Sequence, residues 1–312
     1  MMDRTDKPVE ILMAVYNGEA FLAEQIDSIL RQSDGRWHLT VSDDGSTDDS
    51  GAIIDEYVRR HPDRIARHIS GRRFGNARDH FFHLMAQCDA DYMLFSDQDD
   101  VWYPDKVART RQALEAVEAT WGSDMPVLVF SDQTPTDAEL TPLAPSLMRY
   151  QNQYFGRFDY RGILMQNVVT GGAMGINRAL ARLGGRFGES SRIIMHDWWL
   201  AVVAARFGQI VYIDQSLGAY RQHGGNAVGA KNVNSVGYVA AKLRHIGDIR
   251  AFILCKKAQA RCFSEAYSEL LTEADKAFLV RFTRPRSGPL FYLKHRNEVH
   301  GFLRLAGMVV LG

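Results

Sequence analysis

No stretch of the 312-residue chain approaches the roughly 20 consecutive apolar residues that a membrane-spanning helix needs. Contact with a membrane, if made, is therefore peripheral. Cysteine is scarce: Cys88, Cys255 and Cys262 are too few and too scattered for a disulfide framework or a zinc cluster, and they fit a reducing cytoplasm. Net charge is lacking as well, with 37 Lys and Arg against 37 Asp and Glu. A protein whose main partner is bare nucleic acid would need a basic surplus to neutralise phosphates, so nucleic acid is not an expected partner. The charged N-terminus leads into a short apolar run at residues 11–15 with no cleavage-site pattern, so export by that route is not expected. There is no repeat and no low-complexity tract.

What is present is enough apolar sequence, 46% of residues, to bury one large core with a smaller helical annex. The charges are unevenly placed: residues 1–236 carry a surplus of about seven acidic side chains and residues 237–312 a matching basic surplus. Short apolar runs alternate with helical stripes, the pattern of an α/β protein with a mostly parallel sheet flanked by helices. Strands are predicted at residues 10–15, 39–42, 66–69, 92–96 and 127–131. Helical stripes carry Phe21, Leu22, Ile26, Ile29 and Leu30, then Ile53, Ile54, Tyr57 and Val58, then Phe81, Phe82, Leu84 and Met85. Pro104 suits the start of a further helix, where its missing N–H is not needed. A Pro-rich, polar stretch from Gln133 to about Gln153 reads as a long loop of the kind that serves as a lid facing an acceptor. From about Ser235 the pattern is mainly helical.

Two acidic clusters sit at predicted strand ends. Ser42-Asp43-Asp44-Gly45-Ser46-Thr47-Asp48 follows the second strand, where a plain turn and N-cap would use the same residues. Phe95-Ser96-Asp97-Gln98-Asp99-Asp100-Val101-Trp102 follows the fourth, and its three carboxylates read either as a solvated acidic loop or as a divalent-cation site completed by water and substrate phosphates. In an open α/β sheet, ligands bind outside the carboxyl ends of the strands. Both clusters, and Asn17 just past the first strand, would share that rim.

Together with Ala14-Val15-Tyr16-Asn17-Gly18, Thr170-Gly171-Gly172, His196-Asp197-Trp198-Trp199 and Tyr220-Arg221-Gln222-His223, these motifs make the chain resemble a family 2 glycosyltransferase from about residue 9 to 226. The members it most resembles are rhamnosyltransferases of bacterial surface-polysaccharide assembly. The resemblance implies a GT-A fold: a catalytic domain at 1–234, whose nucleotide-sugar-binding part ends near 131 and whose acceptor-binding part spans about 132–234, then a helical extension at 235–312. It implies that Asp43 contacts the nucleobase, uracil or thymine, with Asp44 and Asn17 beside it. Asp97-Gln98-Asp99 becomes the metal-binding element, Asp99 the foremost ligand and Asp97 and His223 the others, for Mg²⁺ or Mn²⁺. Trp102 would wall the sugar pocket. Arg78 falls near the expected diphosphate, although Asp79 departs from the Asn expected after Ala-Arg.

His196-Asp197 opens a helix and reads either as an N-cap or, for Asp197, as the general base that deprotonates an acceptor hydroxyl. A helix N-terminus favours the ionised carboxylate and the neighbouring tryptophans oppose it; His196 and Trp198 would flank the acceptor. Arg221 and His223 precede Gly224-Gly225-Asn226, an ordinary Gly-rich turn or a loop closing over the diphosphate. Thr170-Gly171-Gly172 is a tight packing turn or a close backbone approach to the sugars. The expected partners are a nucleotide-diphosphate sugar and a glycan or lipid-linked acceptor, at the inner face of the cytoplasmic membrane. The apolar C-terminal residues 302–311 follow Lys294, His295 and Arg296 and suit an interfacial helix, a helix docked on the core, or a homodimer contact. Two rival readings are a sugar nucleotidyltransferase and a non-catalytic sugar-binding protein. The first lacks a Gly- and basic-rich phosphate loop after the first strand, and the second needs neither the acidic triplet nor a separate base.

Overall fold

The computed structural model describes residues 8–153, 158–224, 246–284 and 289–295. Strands β1 (Val9–Val15), β2 (Trp37–Asp43), β3 (Ile65–His68) and β4 (Tyr92–Ser96) alternate with helices α1 (Leu22–Leu30), α2 (Ser50–Arg60) and α3 (Ala77–Gln87). The two-residue β5 (Val101–Trp102), α4 (Lys106–Trp121), β6 (Val127–Thr136), α5 (Leu147–Tyr150) and α6 (Tyr160–Met165) follow. Next come β7 (Met174–Asn177), α7 (Arg178–Gly184), α8 (His196–Phe207) and β8 (Gln209–Arg221), and then α9 (Ile246–Ala266), α10 (Glu273–Phe282) and α11 (Pro289–Lys294).

The strands form one eight-stranded sheet in the order β3-β2-β1-β4-β7-β6-β8-β5. β1 pairs in parallel with β2 and β4, β2 with β3, and β6 with β8. β7 runs antiparallel between β4 and β6, and β5 antiparallel on β8. From β1 the order runs outward to β2 and β3 on one side and to β4 on the other. The point of reversal is where open α/β sheets bind ligands, and the loops after β1, β2 and β4 meet there.

Both faces of the sheet are covered at its centre, which is why β4 and the first half of β6 are continuous apolar runs rather than alternating with polar residues. Val9, Ile11, Met13, Tyr92, Leu94, Val127 and Val129 face one core with α1, α2 and α4. Their neighbours Leu12, Met93, Phe95, Leu128 and Phe130 face the other with α3, α6 and α8. That two-residue alternation is the pleat of a strand, and each fully buried Leu, Val or Phe contributes about 1.5–3 kcal/mol. The second core continues into Phe263, Tyr267, Phe278, Leu279 and Phe282 of α9 and α10. Asp275 secures that union: it accepts hydrogen bonds from Tyr160 Oη (2.7 Å) and Arg206 Nε (2.9 Å) and completes the capping box that starts α10 with Thr272.

The expected loop from Gln133 to about Gln153 begins as strand and ends in a helical turn. β6 continues to Thr136, pairing Thr134 with Ala219, Pro135 with Tyr220 and Thr136 with Arg221 beyond two register shifts. Its polar residues are buried because they are satisfied: Asp132 Oδ1 accepts from the backbone N–H groups of Gln133, Leu147 and Met148. Only the turn from 137 to 146 remains irregular before α5. Among the described residues no helix is long and apolar enough to cross a membrane. Gly225, Asn226 and the apolar segment 302–311, with its membrane, core and dimer readings, lie outside the described residues.

Candidate active site

The rim is assembled by cross-loop hydrogen bonds. Asn17 turns the chain out of β1 in the left-handed region, φ 48°, and its Oδ1 accepts from Thr47 N at 2.9 Å while its N–H donates to Ser46 Oγ. Gln98 pairs with the backbone of Tyr16 on both sides, Tyr16 N to Gln98 Oε1 at 2.8 Å and Gln98 Nε2 to Tyr16 O at 3.0 Å. The residue between the two aspartates thus fixes their loop against the end of β1. Gly18 must lack a side chain, since a Cβ there would lie 2.7 Å from the Gln98 amide.

At the β2 end, Asp43 Oδ1 accepts from Ser46 N and Oγ, and Oδ2 lies 3.5 Å from Arg67. Asp43 also lines a cleft of about 220 Å³ with Arg67, Ile69, Arg72 and Arg73. Asp44 beside it is buried, and its two oxygens accept from the N–H groups of Phe74 and Gly75. It is a clamp for the 70–76 loop rather than a group open to a donor.

At the β4 end, Asp99 Oδ2 stands 2.8 Å from His223 Nε2, the two side chains being 15% and 18% exposed. Asp97 is turned the other way. Its carboxylate accepts the Gly172 N–H, and a Cβ on Gly172 would stand 2.6 Å from Asp97 Oδ2 and 3.0 Å from Asp100 Oδ2. Among the described residues no three His, Cys, Asp or Glu side chains are arranged to hold a metal. Of the expected ligands, Asp99 and His223 stand within 2.8 Å of each other, whereas Asp97 accepts the Gly172 N–H. One carboxylate and one imidazole are suitable donors for a divalent cation whose remaining positions go to water and phosphate.

Lys106 was not among the sequence-derived candidates. It is 1% exposed, donates to Gly172 O, and lies 4.2 Å from the Trp102 ring centroid. Burial pushes its pKa down against the charges of Asp100 and Asp97, and pushes those of Asp97 and Asp100 up, a rise that the neighbouring carboxylates reinforce and the Lys106 charge opposes. The available signal was a lysine in register with the buried stripe of α4, Thr110 and Leu114 at four-residue spacing.

Thr170 leads into the 3-10 turn of Gly171, Gly172 and Ala173, and its O accepts from Ala173 N at 3.0 Å. Asp197, in the first turn of α8, accepts the N–H groups of Gly171 and Trp198. Of the two opposing influences on this carboxylate, burial prevails and raises its pKa to about 7. His196 is buried between Phe81 (4.3 Å) and Phe95 (5.3 Å), with neither ring nitrogen hydrogen-bonded, and burial lowers its pKa to about 3.

The remaining candidates have structural partners. Arg221 is 3% exposed: its guanidinium reaches Asp99 O (2.9 Å), Ala138 O and the Glu24 carboxylate, and lies over Phe21. It braces the acidic loop against α1 instead of standing free for a diphosphate. Arg78 pairs with Asp79, at 3.0 Å from both Nε and Nη2, and donates to Ile193 O at 2.8 Å, so the unexpected Asp79 is what holds Arg78. Trp102 is buried beneath the rim, and Trp198 donates through Nε1 to Ile163 O inside the second core.

A sheet with this switch point, an acidic loop at its rim and a buried carboxylate facing it from a helix start is the GT-A architecture of sugar-nucleotide transferases. The chain belongs to Glycosyl transferase family 2, which it matches over residues 10–184, and it is a glycosyltransferase. It is 31% identical over 255 residues to the dTDP-rhamnosyl transferase RfbG of Shigella flexneri, covering 76% of this chain and 79% of that protein. It is 31% identical over 137 residues to the putative glycosyltransferase EpsE of Bacillus subtilis (strain 168), covering 44% and 49%. Among solved structures, S. aureus TarS 1-349 in complex with UDP-GlcNAc superposes with a TM-score of 0.57 at 13% identity, covering 97% of this chain and 90% of that one. The mannosyltransferase PcManGT from Pyrobaculum calidifontis, in complex with GDP-Man and Mn²⁺, does so with 0.52 at 14% identity, covering 98% and 87%.

Proposed function

We propose that the chain is an inverting, metal-dependent glycosyltransferase that moves rhamnose from dTDP-rhamnose to the hydroxyl of a glycan or lipid-linked saccharide in bacterial cell-surface polysaccharide synthesis. The observation that carries the reading is the meeting of two functions at one turn. Asp97, two residues before the Asp99 that pairs with His223, accepts the Gly172 N–H, and Asp197, with its pKa raised to about 7, accepts the Gly171 N–H. Rhamnose is supported by the similarity to the dTDP-rhamnosyl transferase of Shigella, and a divalent metal by the Mn²⁺ bound with GDP-Man in the Pyrobaculum enzyme.

The nucleobase lies in the cleft beside Asp43, which accepts a ring N–H of the pyrimidine. Asp99 and His223 hold the cation. Bound there, Mg²⁺ or Mn²⁺ supplies Lewis-acid neutralisation of the departing diphosphate. Asp197 takes the proton of the acceptor hydroxyl as its oxygen bonds to the anomeric carbon, and the bond from that carbon to the diphosphate oxygen breaks with its electron pair going to the nucleotide. A single displacement inverts the anomeric configuration. An acceptor on a lipid places this work at the inner face of the cytoplasmic membrane, with 235–312 as the helical extension to the catalytic domain.

The test is a panel of UDP-, GDP- and dTDP-sugars with Mn²⁺, with released nucleotide diphosphate measured for the wild type and Asp99→Ala. The reading expects release from dTDP-rhamnose that the substitution abolishes. Release from a different donor replaces the sugar and keeps the class. Silence across the panel, with no change in melting temperature on adding the same donors, overturns the enzyme reading.

A further inference from the structure

Lys106 is a buried, motif-adjacent cation that the transfer chemistry leaves without a role, and its position is unfavourable by ordinary rules. A buried ammonium is costly unless paired, and Lys106 opens α4, where the positive end of the helix dipole repels it. A stabilising function alone would be better met by an apolar side chain, so the reason lies in what its charge touches.

Three contacts define the geometry. The ammonium lies among the charges of Asp97 and Asp100, over the face of Trp102, and donates to Gly172 O. The Gly172 N–H is held by Asp97, and the Gly171 N–H by Asp197. Asp100 is in turn fixed by Gln133 Nε2 and the Arg221 N–H, each at 3.2 Å. The Gly171-Gly172 turn is therefore gripped from both sides: by Asp97 and Lys106, next to the acidic loop, and by Asp197, on the acceptor side. No side chain fits at Gly172, where a Cβ would meet both donor-side carboxylates.

We propose that Lys106 is a positioning residue whose ammonium anchors the Gly172 carbonyl and so sets the distance between the leaving group and the Asp197 base. The inference rests on the transferase reading above. A loosened turn leaves the donor bound and able to lose its sugar to water, while the acceptor hydroxyl is no longer held in line. Transfer falls more than hydrolysis. The ratio of the two does not depend on how much of a preparation is correctly folded, so a merely structural role would not move it.

The experiment compares wild type, Lys106→Met and Lys106→Met/Asp100→Asn. The double variant removes the surplus buried negative charge but does not restore the lost anchor. Two quantities are measured: hydrogen–deuterium exchange of peptides covering 167–177, and the ratio of transfer to donor hydrolysis. The expected result is exchange at Gly171 and Gly172 faster by about tenfold in both variants, with the ratio lowered by about tenfold or more in both, while the melting temperature recovers in the double variant. If both quantities return to wild type in the double variant, Lys106 is only a counter-charge and the proposal fails. It fails equally if Lys106→Met changes neither. Should Lys106→Met not fold, the double variant carries the comparison. A wild type inactive on every donor would overturn the transferase reading, and the exchange measurement would still decide whether Lys106 anchors the turn.

Discussion

Asp197 carries opposite demands that can be separated by pH. Its pKa is raised to about 7 because burial outweighs the N–H groups that favour the anion. As a base it works only when ionised, so kcat/KM for transfer should climb about tenfold per pH unit up to about 7 and level off above it. Asp197→Asn should lose that limb and about 10²–10⁴-fold in rate; a variant with near-normal turnover would remove the base assignment. The stability effect has the reverse sign. A carboxyl whose folded pKa lies above its unfolded value of 3.8 binds its proton more tightly when folded, so its cost to stability grows as pH rises from 3.8 to about 7 and is full above that. Asp197→Asn should therefore gain melting temperature relative to wild type as pH rises from 4 to 8, with most of the gain in place by pH 7. His196 shows the complementary case, a histidine held neutral with its pKa lowered to about 3. Stability is present above the ordinary value of 6.5 and is lost as pH falls towards 3. His196→Phe fills the same slot between Phe81 and Phe95 without burying unpaired nitrogens. Urea melts should show a gain of about 1 kcal/mol at pH 7, growing by a further 2–3 kcal/mol or so at pH 4.5. A constant difference between the two pH values would show that His196 is hydrogen-bonded in solution.

At the scale of elements, what was legible depended on whether a segment's role is local. β4 lies where its apolar run places it, at Tyr92–Ser96, and α1 to α3 follow their stripes, because covering both sheet faces demands a continuous strand and a periodic helix. The second half of β6 was hidden by Pro135 and by Asp132, Gln133 and Thr134, which look like loop residues until their distant partners are known. β7 was equally hidden: four residues are too few for periodicity, and its place depends on Gly175, where a Cβ would lie 2.6 Å from Thr110 Cγ2 and 2.9 Å from Leu94 Cδ1. The same non-local logic governs the C-terminal helices. Asp275 joins α10 to Tyr160 of α6 and Arg206 of α8, and those hydrogen bonds hold its pKa well below the carboxylate range against the effect of burial. Asp275→Ala leaves Arg206 and Tyr160 without their acceptor and removes the cap of α10, so it should cost about 3–5 kcal/mol in chemical denaturation at pH 7. Wild type should lose that advantage on acidification, since a lowered folded pKa means stability present above the ordinary value of 3.8 and lost as the group protonates. A cost below about 1 kcal/mol would show that apolar packing alone holds the annex.

For the whole molecule, the class of site was legible because chain order puts Asn17, Asp43 and Asp97 at neighbouring strand ends, while the detailed roles were not. Asp44, Arg78, Trp102 and Arg221 carry the residue types of a donor site, yet their partners are Phe74 and Gly75, Asp79, Lys106 and Glu24. Sequence motifs report which chemistry gathers at a rim, and only packing decides which side chain faces the ligand. The division left by the structure is sharp enough to test by linkage. A ligand that binds only the native state stabilises it by about 2.7 kcal/mol at a hundredfold excess over its Kd, which raises the melting temperature of a domain of this size by roughly 5–10 °C. A thymidine or uridine diphosphate with Mn²⁺ should produce such a rise in wild type. Asp99→Ala and His223→Ala should each abolish the Mn²⁺-dependent part, and Asp43→Ala the preference among bases. Trp102→Phe should preserve both, because that ring is buried against Lys106 beneath the rim. If Asp99→Ala and His223→Ala leave the Mn²⁺ response intact while Asp97→Ala removes it, the cation sits on the Gly172 side of the acidic loop, and the side chain of Asp97 must turn away from the Gly172 amide when the donor binds.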